Sequence, residues 1–134
     1  FGCIPVINEN DSVSCYELDF GGNDRLSAYV GVVCHADIVI NLTDIDGYFD
    51  SDPRKNPYAK LIPYVETVSD EMVEAAGGAG TARGTGGMQA KLLAAQICNQ
   101  AGIPMMIVNG TDPEILYGVM DGTARGTYFD VKEG

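Results

Sequence analysis

Apolar positions along the chain fall into short unbroken runs, separated by longer stretches with helical spacing. Three runs, Cys3–Ile7, Asp37–Leu42 and Ile103–Val108, have the length and continuity of strands covered on both faces. Leu26, Tyr29, Val30 and Val33 form an i, i+3, i+4, i+7 stripe, with Asn23 or Asp24 as candidate N-cap. Ser69 opens a second helical pattern through Met72, Val73 and Ala76, and Asp70 and Glu71 suit the positive end of its first turn. A third helix is predicted from about Met88 to Ala101, stopping at Gly102. A fourth, short one starts near Asp112-Pro113, where proline fits the first turn. Strands alternating with helices give an α/β class with a mostly parallel sheet.

Ligands of such sheets bind beyond the carboxyl ends of the strands. Those ends are Asn8-Glu9-Asn10-Asp11, Thr43-Asp44 and Asn109-Gly110-Thr111, all polar and built from small residues. Turn-forming residues fill Asp46–Asn56, which reads as a hairpin-like excursion from the second strand with Arg54-Lys55 exposed. The pentapeptide Thr-Ala-Arg-Gly-Thr occurs at 81–85 and again at 123–127, but the flanks differ, so it is no solenoid repeat.

Charge narrows the partners. Eight Lys and Arg against nineteen Asp and Glu leave a net charge of −11 over 134 residues. That excludes a nucleic acid or an anionic membrane as the main partner, since both need a basic patch. The uncharged run Leu92–Thr111 is long enough to span a bilayer, but Gln96, Asn99, Gln100 and the Gly102–Pro104 break make it helix, turn and strand. No charged stretch precedes an apolar one at the start, which gives no sign of a signal peptide. The chain opens on Phe1 inside an apolar run, and a preceding N-terminal portion is expected. Cys3, Cys15, Cys34 and Cys98 show neither a CxxC pair nor metal-ligand spacing, so no metal site is expected and a reducing, cytoplasmic setting is. The sequons at Asn41 and Asn109 fall at the ends of buried strands and are discounted. His35, the single histidine, ends a helix and is expected to cap it.

On this acidic chain no Asp or Glu lies between Glu74 and Asp112, while Arg83 and Lys91 both do. Within that interval six of the eleven residues from Gly77 to Gly87 are glycine. Such a loop can converge backbone N–H groups on an anion, and the helix that follows adds its positive end. The absence of carboxylates there avoids repelling a polyphosphate. At 100° per residue Lys91 lies on the small, apolar face of the third helix with Ala94, Ala95 and Cys98, opposite Gln89, Gln96 and Gln100. A lysine so placed can reach back toward a phosphate as a point charge. The loop is neither a Walker P-loop, because Lys91 stands between Ala90 and Leu92, nor a GxGxxG turn after a strand. Asp11, Asp24 and Asp44 each suit a cap or a turn, and together they are the carboxylates placed to hold an amino group, orient lysines or meet a metal.

The stretch Thr43-Asp44-Ile45-Asp46-Gly47-Tyr48-Phe49, followed by Asp52-Pro53-Arg54, resembles the signature of the amino-acid kinase superfamily. Ile4–Asp11, Gly84–Lys91 and Gly126-Thr127-Tyr128-Phe129 resemble its glutamate 5-kinase branch. The resemblance implies a three-layer αβα sandwich, of which residues 1–134 are the C-terminal, nucleotide-binding portion. It implies transfer of the γ-phosphoryl of Mg-ATP to the side-chain carboxylate of L-glutamate, the first step of proline synthesis, in a homo-oligomer. Carried over by position, Asp11 and Asn23 are glutamate-binding residues. Thr43, Asp44, Thr85, Gly86, Gly87, Met88, Gln89, Ala90 and Lys91 contact the nucleotide. Lys91 also steadies the phosphoryl in flight, and Asp24 orients the phosphate-binding lysines. The branch usually has Asp-Asn-Asp where this chain has Gly22-Asn23-Asp24. Alternatives are another acceptor (acetylglutamate, aspartate or UMP), or a half-domain that binds nucleotide without turning over.

Overall fold

The computed structural model describes residues 4–7, 23–77 and 87–131, and of Asn23 the backbone only. Its elements run α1 (Asn23–Val33), β1 (Val39–Thr43), β2 (Tyr64–Val65), α2 (Asp70–Gly77), α3 (Gly87–Gln100), β3 (Met105–Asn109), α4 (Ile115–Asp121) and β4 (Gly126–Phe129). One sheet of order β1-β3-β4-β2 joins the four strands. β1 and β3 are parallel with Val39 opposite Met105, β2 and β4 are parallel, and β3 meets β4 antiparallel with Met105 opposite Phe129.

The two longer predicted strands form nearly where the apolar runs place them, each shifted toward its carboxyl end. The third does not. Residues 4–7 form no strand, and Ile4 and Val6 are exposed. Pro5 offers no N–H to a ladder, which weakens the run as a paired strand. β2 and β4 are too short to carry a periodicity, and β4 makes the sheet mixed.

Helix α1 departs from its predicted face. Tyr29 and Val33 are exposed, and the buried residues are Ala28 and Gly31. Close approach explains the shift: a Cβ added at Gly31 would stand 2.5 Å from Val39 Cγ2. Small residues therefore seat α1 against β1 and α3, and the larger ones turn outward. The helix ends in a Schellman turn, with His35 left-handed at φ 53° and its N–H on the Val32 carbonyl, and Ala36 N–H on Gly31. His35 thus caps through its backbone.

Helix α2 is capped as its sequence predicts: Ser69 Oγ accepts the Met72 N–H at 3.2 Å, and Val73 and Ala76 face the core. α3 buries Leu92, Ala94, Ala95 and Cys98, and Gly102, two residues past its end, is left-handed at φ 78°. α4 begins at Ile115, two residues beyond Pro113, after Asp112 Oδ1 has accepted the Glu114 N–H. The core lies between α1, α3 and the sheet, where Leu92, Met105, Ile107 and Phe129 are fully buried.

Between β1 and β2 the chain makes its hairpin-like excursion. Phe49 bridges Leu61 antiparallel, Asp50 N–H donates to Lys60 O, and Ile62 N–H donates to Tyr48 O at 2.8 Å. Thr127 of β4 fastens it to the sheet: its hydroxyl accepts the Tyr48 N–H at 2.8 Å and donates to the Ile62 carbonyl at 2.7 Å. Gly47 passes so close that an added Cβ would lie 2.6 Å from Thr127 Oγ1. The tilted ring pair Tyr48–Phe129 completes the seam.

Candidate active site

The carboxyl end of β1, the excursion and the amino end of α3 enclose a cavity of about 460 Å³, within the range of small-molecule sites. Its lining includes Thr43 and Asp44 from β1 and the loop after it, Gly47, Tyr48 and Arg54 from the excursion, and Gly87, Met88 and Lys91 from α3. The excursion thus forms one wall and the first turn of α3 the other, because Thr127 holds the first and the buried face of α3 fixes the second.

Lys91 stands one turn into α3 with its side chain only 13% exposed. Its Nζ lies 3.3 Å from Asp24 Oδ2, and the Asp24 side chain, in the first turn of α1, is 18% exposed. Two groups 67 positions apart in sequence are therefore paired across the packed α1–α3 interface. The other Asp24 oxygen, Oδ1, accepts from Asn41 Nδ2 at 2.5 Å. Asp24 so joins both helices to β1. An ammonium held at the wall of a cavity by a carboxylate behind it is a positioned positive charge, suited to an anionic ligand.

Other cations are more open. Arg54 reaches Asp44 at 3.9 Å, both side chains well exposed, a pair worth little by itself. Arg125 donates from Nε to Asp46 Oδ2 at 3.2 Å, and Asn109 Nδ2 donates to Asp46 Oδ1. That cluster ties the loop after β1 to the carboxyl end of β3 and to the turn before β4. The second Thr-Ala-Arg-Gly-Thr copy supplies Arg125 for this contact; the first lies outside the described residues.

The sequence-derived residues divide clearly. Thr43, Asp44, Gly87, Met88 and Lys91 meet at the cavity, and Asp24 stands behind Lys91. Gln89 turns away, donating from Nε2 to the Val73 carbonyl at 3.2 Å, and so pins α3 to α2. Neither Gln89 nor Ala90 lines the cavity. Asp11, Thr85, Gly86, Gly22 and the Asn23 side chain lie outside the described residues. Sequence reasoning gave Asn41, Asp46, Arg125 and Thr127 no role in the site. For Asn41 a signal was present, an amide in the middle of an apolar strand; the contacts of the other three depend on chain crossings that no local pattern encodes.

Residues 2–109 match the Amino acid kinase family. Glutamate 5-kinase of Clostridium perfringens (strain 13 / Type A) is 48% identical over 99% of this chain and 51% of that protein. Glutamate 5-kinase of Geobacillus kaustophilus (strain HTA426) is 50% identical over 97% of this chain and 35% of its own length. The chain thus spans about half or less of the curated relatives it matches. Among solved structures, UMP kinase from Bacillus anthracis superposes with a TM-score of 0.61 at 21% identity, over 85% of this chain and 42% of that one. Isopentenyl phosphate kinase from T. acidophilum, as a product complex, gives 0.60 at 21%, over 81% and 39%. These two share the fold. With the family match running over most of its length, the chain belongs to the amino acid kinase family.

Proposed function

We propose that the complete polypeptide carrying this chain is a glutamate 5-kinase, which transfers the γ-phosphoryl group of ATP to the side-chain carboxylate of L-glutamate. The observation that carries this reading is Lys91, held by Asp24 at the wall of a cavity that Thr43, Asp44, Gly87 and Met88 also line. The glutamate 5-kinases at 48% and 50% identity support the choice of acceptor.

In this reading the nucleotide lies between the excursion and α3, with Thr43, Asp44, Gly87, Met88 and Lys91 around it. A carboxylate oxygen of glutamate attacks the γ-phosphorus in line. The bond from phosphorus to the β–γ bridging oxygen breaks, ADP leaves with that electron pair, and L-glutamyl 5-phosphate forms. Little covalent work falls to the protein, so positioning and charge stabilisation dominate. Lys91 meets the charge spreading over the phosphoryl oxygens, Asp24 keeps Lys91 in place, and Asp11 and Asn23 hold glutamate.

No three His, Cys, Asp or Glu side chains converge to hold a metal among the described residues. Mg²⁺ is assigned to the nucleotide as its counter-ion. Among the described residues no helix is long and apolar enough to cross a membrane. We assign the protein to the cytoplasm, without a nucleic-acid partner through this portion, and to a homo-oligomer.

The test is ADP release by the complete polypeptide with L-glutamate, L-aspartate, N-acetylglutamate or UMP as acceptor. Glutamate is expected to be preferred; a faster rate with any of the others overturns the assignment of acceptor. Lys91→Ala is expected to lower kcat by about 10²- to 10³-fold, the scale for losing one preorganised charge-stabilising group, with KM for ATP changed much less. Near-normal turnover in that variant removes Lys91 from the reaction.

A further inference from the structure

Two polar side chains are buried among the described residues, Asn41 and Thr127. Thr127 is accounted for by the excursion that it fastens. Asn41 instead ties β1 to a single carboxylate, that of Asp24. It sits in the middle of β1 in the run Val39-Ile40-Asn41-Leu42, opposite the fully buried Ile107 of β3, and is itself 7% exposed. Asparagine is disfavoured in strands, and a buried amide is unfavourable unless bonded. An aliphatic residue would serve the core at that position better. A local choice that works against the fold is expected where function requires it.

The amide is spent on one carboxylate. Asn41 Nδ2 donates to Asp24 Oδ1 at 2.5 Å, and Asp24 Oδ2 faces Lys91 Nζ at 3.3 Å. A carboxylate held by Lys91 alone could turn about its last, broad torsion, and the long lysine side chain could follow it. With Oδ1 fixed from the strand, Oδ2 has one direction. We infer that Asn41 is a positioning residue for phosphoryl transfer: it locks the Asp24 carboxylate and thereby sets where the Lys91 ammonium stands at the cavity wall. The inference rests on the function proposed above. Asn41 does not line the cavity, and its part in the reaction runs through Asp24.

The experiment uses the complete polypeptide with Asn41→Leu, which keeps the side-chain branching and removes the donor, and with Asn41→Val as a smaller, strand-compatible replacement. Both are expected to lower kcat by roughly 10- to 100-fold, the scale of misplacing a reacting group, and to change KM for ATP by less than about threefold. The combination with Asp24→Asn decides the route. If Asn41 acts through Asp24, the double variant is no slower than Asp24→Asn alone within about twofold; multiplied losses overturn the inference. A second readout needs no turnover: acetylation of Lys91, followed by peptide mass mapping, is expected to run at least about threefold faster in Asn41→Leu, since exposure of a loosened amine rises. Unchanged labelling with unchanged kcat overturns the positioning role. Absence of glutamate-dependent turnover in the wild type, with faster labelling still seen in Asn41→Leu, defeats the functional reading and leaves the positioning of Lys91 standing.

Discussion

Replacing Thr127 by valine removes one hydroxyl and almost no volume, at a residue that is fully buried. The wild-type Oγ1 accepts the Tyr48 N–H at 2.8 Å and donates to the Ile62 carbonyl at 2.7 Å. Each bond contributes about 1 kcal/mol net, and a donor left buried without a partner costs about 1–3 kcal/mol. The Ile62 N–H keeps its own bond to the Tyr48 carbonyl, so the seam loosens without parting. The expected loss is therefore about 2–3 kcal/mol. In the complete polypeptide this appears as a lower urea midpoint with an unchanged slope. Amide exchange at Tyr48 should rise by about 30- to 150-fold, the same free energy read locally. Affinity for ATP should fall as well, because Gly47 and Tyr48 line the cavity. A midpoint shift under about 0.5 kcal/mol, together with exchange within threefold of wild type, refutes the view that Thr127 fastens the excursion.

Leu92→Ala, at a fully buried position of α3, should destabilise by about 2–5 kcal/mol in the same urea assay; a loss below about 1 kcal/mol contradicts its place in the core. Burial pushes the Cys98 thiol up to about 11, while Cys34 is exposed. Iodoacetamide at pH 8 followed by peptide mapping should therefore label Cys34 in the native protein and Cys98 only after unfolding. The Tyr64 hydroxyl donates to Asp130 and, with the Val131 N–H, holds that carboxyl below the usual range. A depressed folded-state value means stability that is present above the ordinary carboxylate pKa and lost as pH falls through the folded-state one. The same bond raises the Tyr64 phenol to about 12, so on the alkaline side its contribution is lost as pH rises from about 10 through 12. Tyr64→Phe should flatten both flanks of the stability–pH curve; unchanged flanks exclude the bond from the folded state in solution.

Much of the site was legible because its parts lie in short segments of strong local chemistry. The carboxylate-free interval, the glycine run and the apolar-face lysine mark Lys91, and polar strand ends mark Thr43 and Asp44, with no need of tertiary structure. The partnership of Lys91 with Asp24 was legible only through the family resemblance, since 67 positions separate them. Asn41 was visible as an oddity in an apolar strand, but its purpose depends on where Asp24 comes to rest. In the fold, the strands Val39–Thr43 and Met105–Asn109 and the helix Gly87–Gln100 follow their hydrophobic runs. The face of α1 was misread because helical spacing favours large apolar residues, whereas the packing uses Ala28 and Gly31 for close approach. Strands Tyr64–Val65 and Gly126–Phe129 escaped because pairing across the sheet defines them, not their own sequence.

The central claim is that the cavity beside Lys91 serves phosphoryl transfer to the side-chain carboxylate of glutamate. Its product is an acyl phosphate, which hydroxylamine intercepts as a hydroxamate. The most direct measurement is γ-glutamyl hydroxamate formation by the complete polypeptide with ATP, L-glutamate and hydroxylamine, beside the Lys91→Ala variant. Hydroxamate that requires both substrates and falls by about 10²-fold or more in the variant is the predicted result. ATP consumption without hydroxamate, or equal hydroxamate from both proteins, would contradict it.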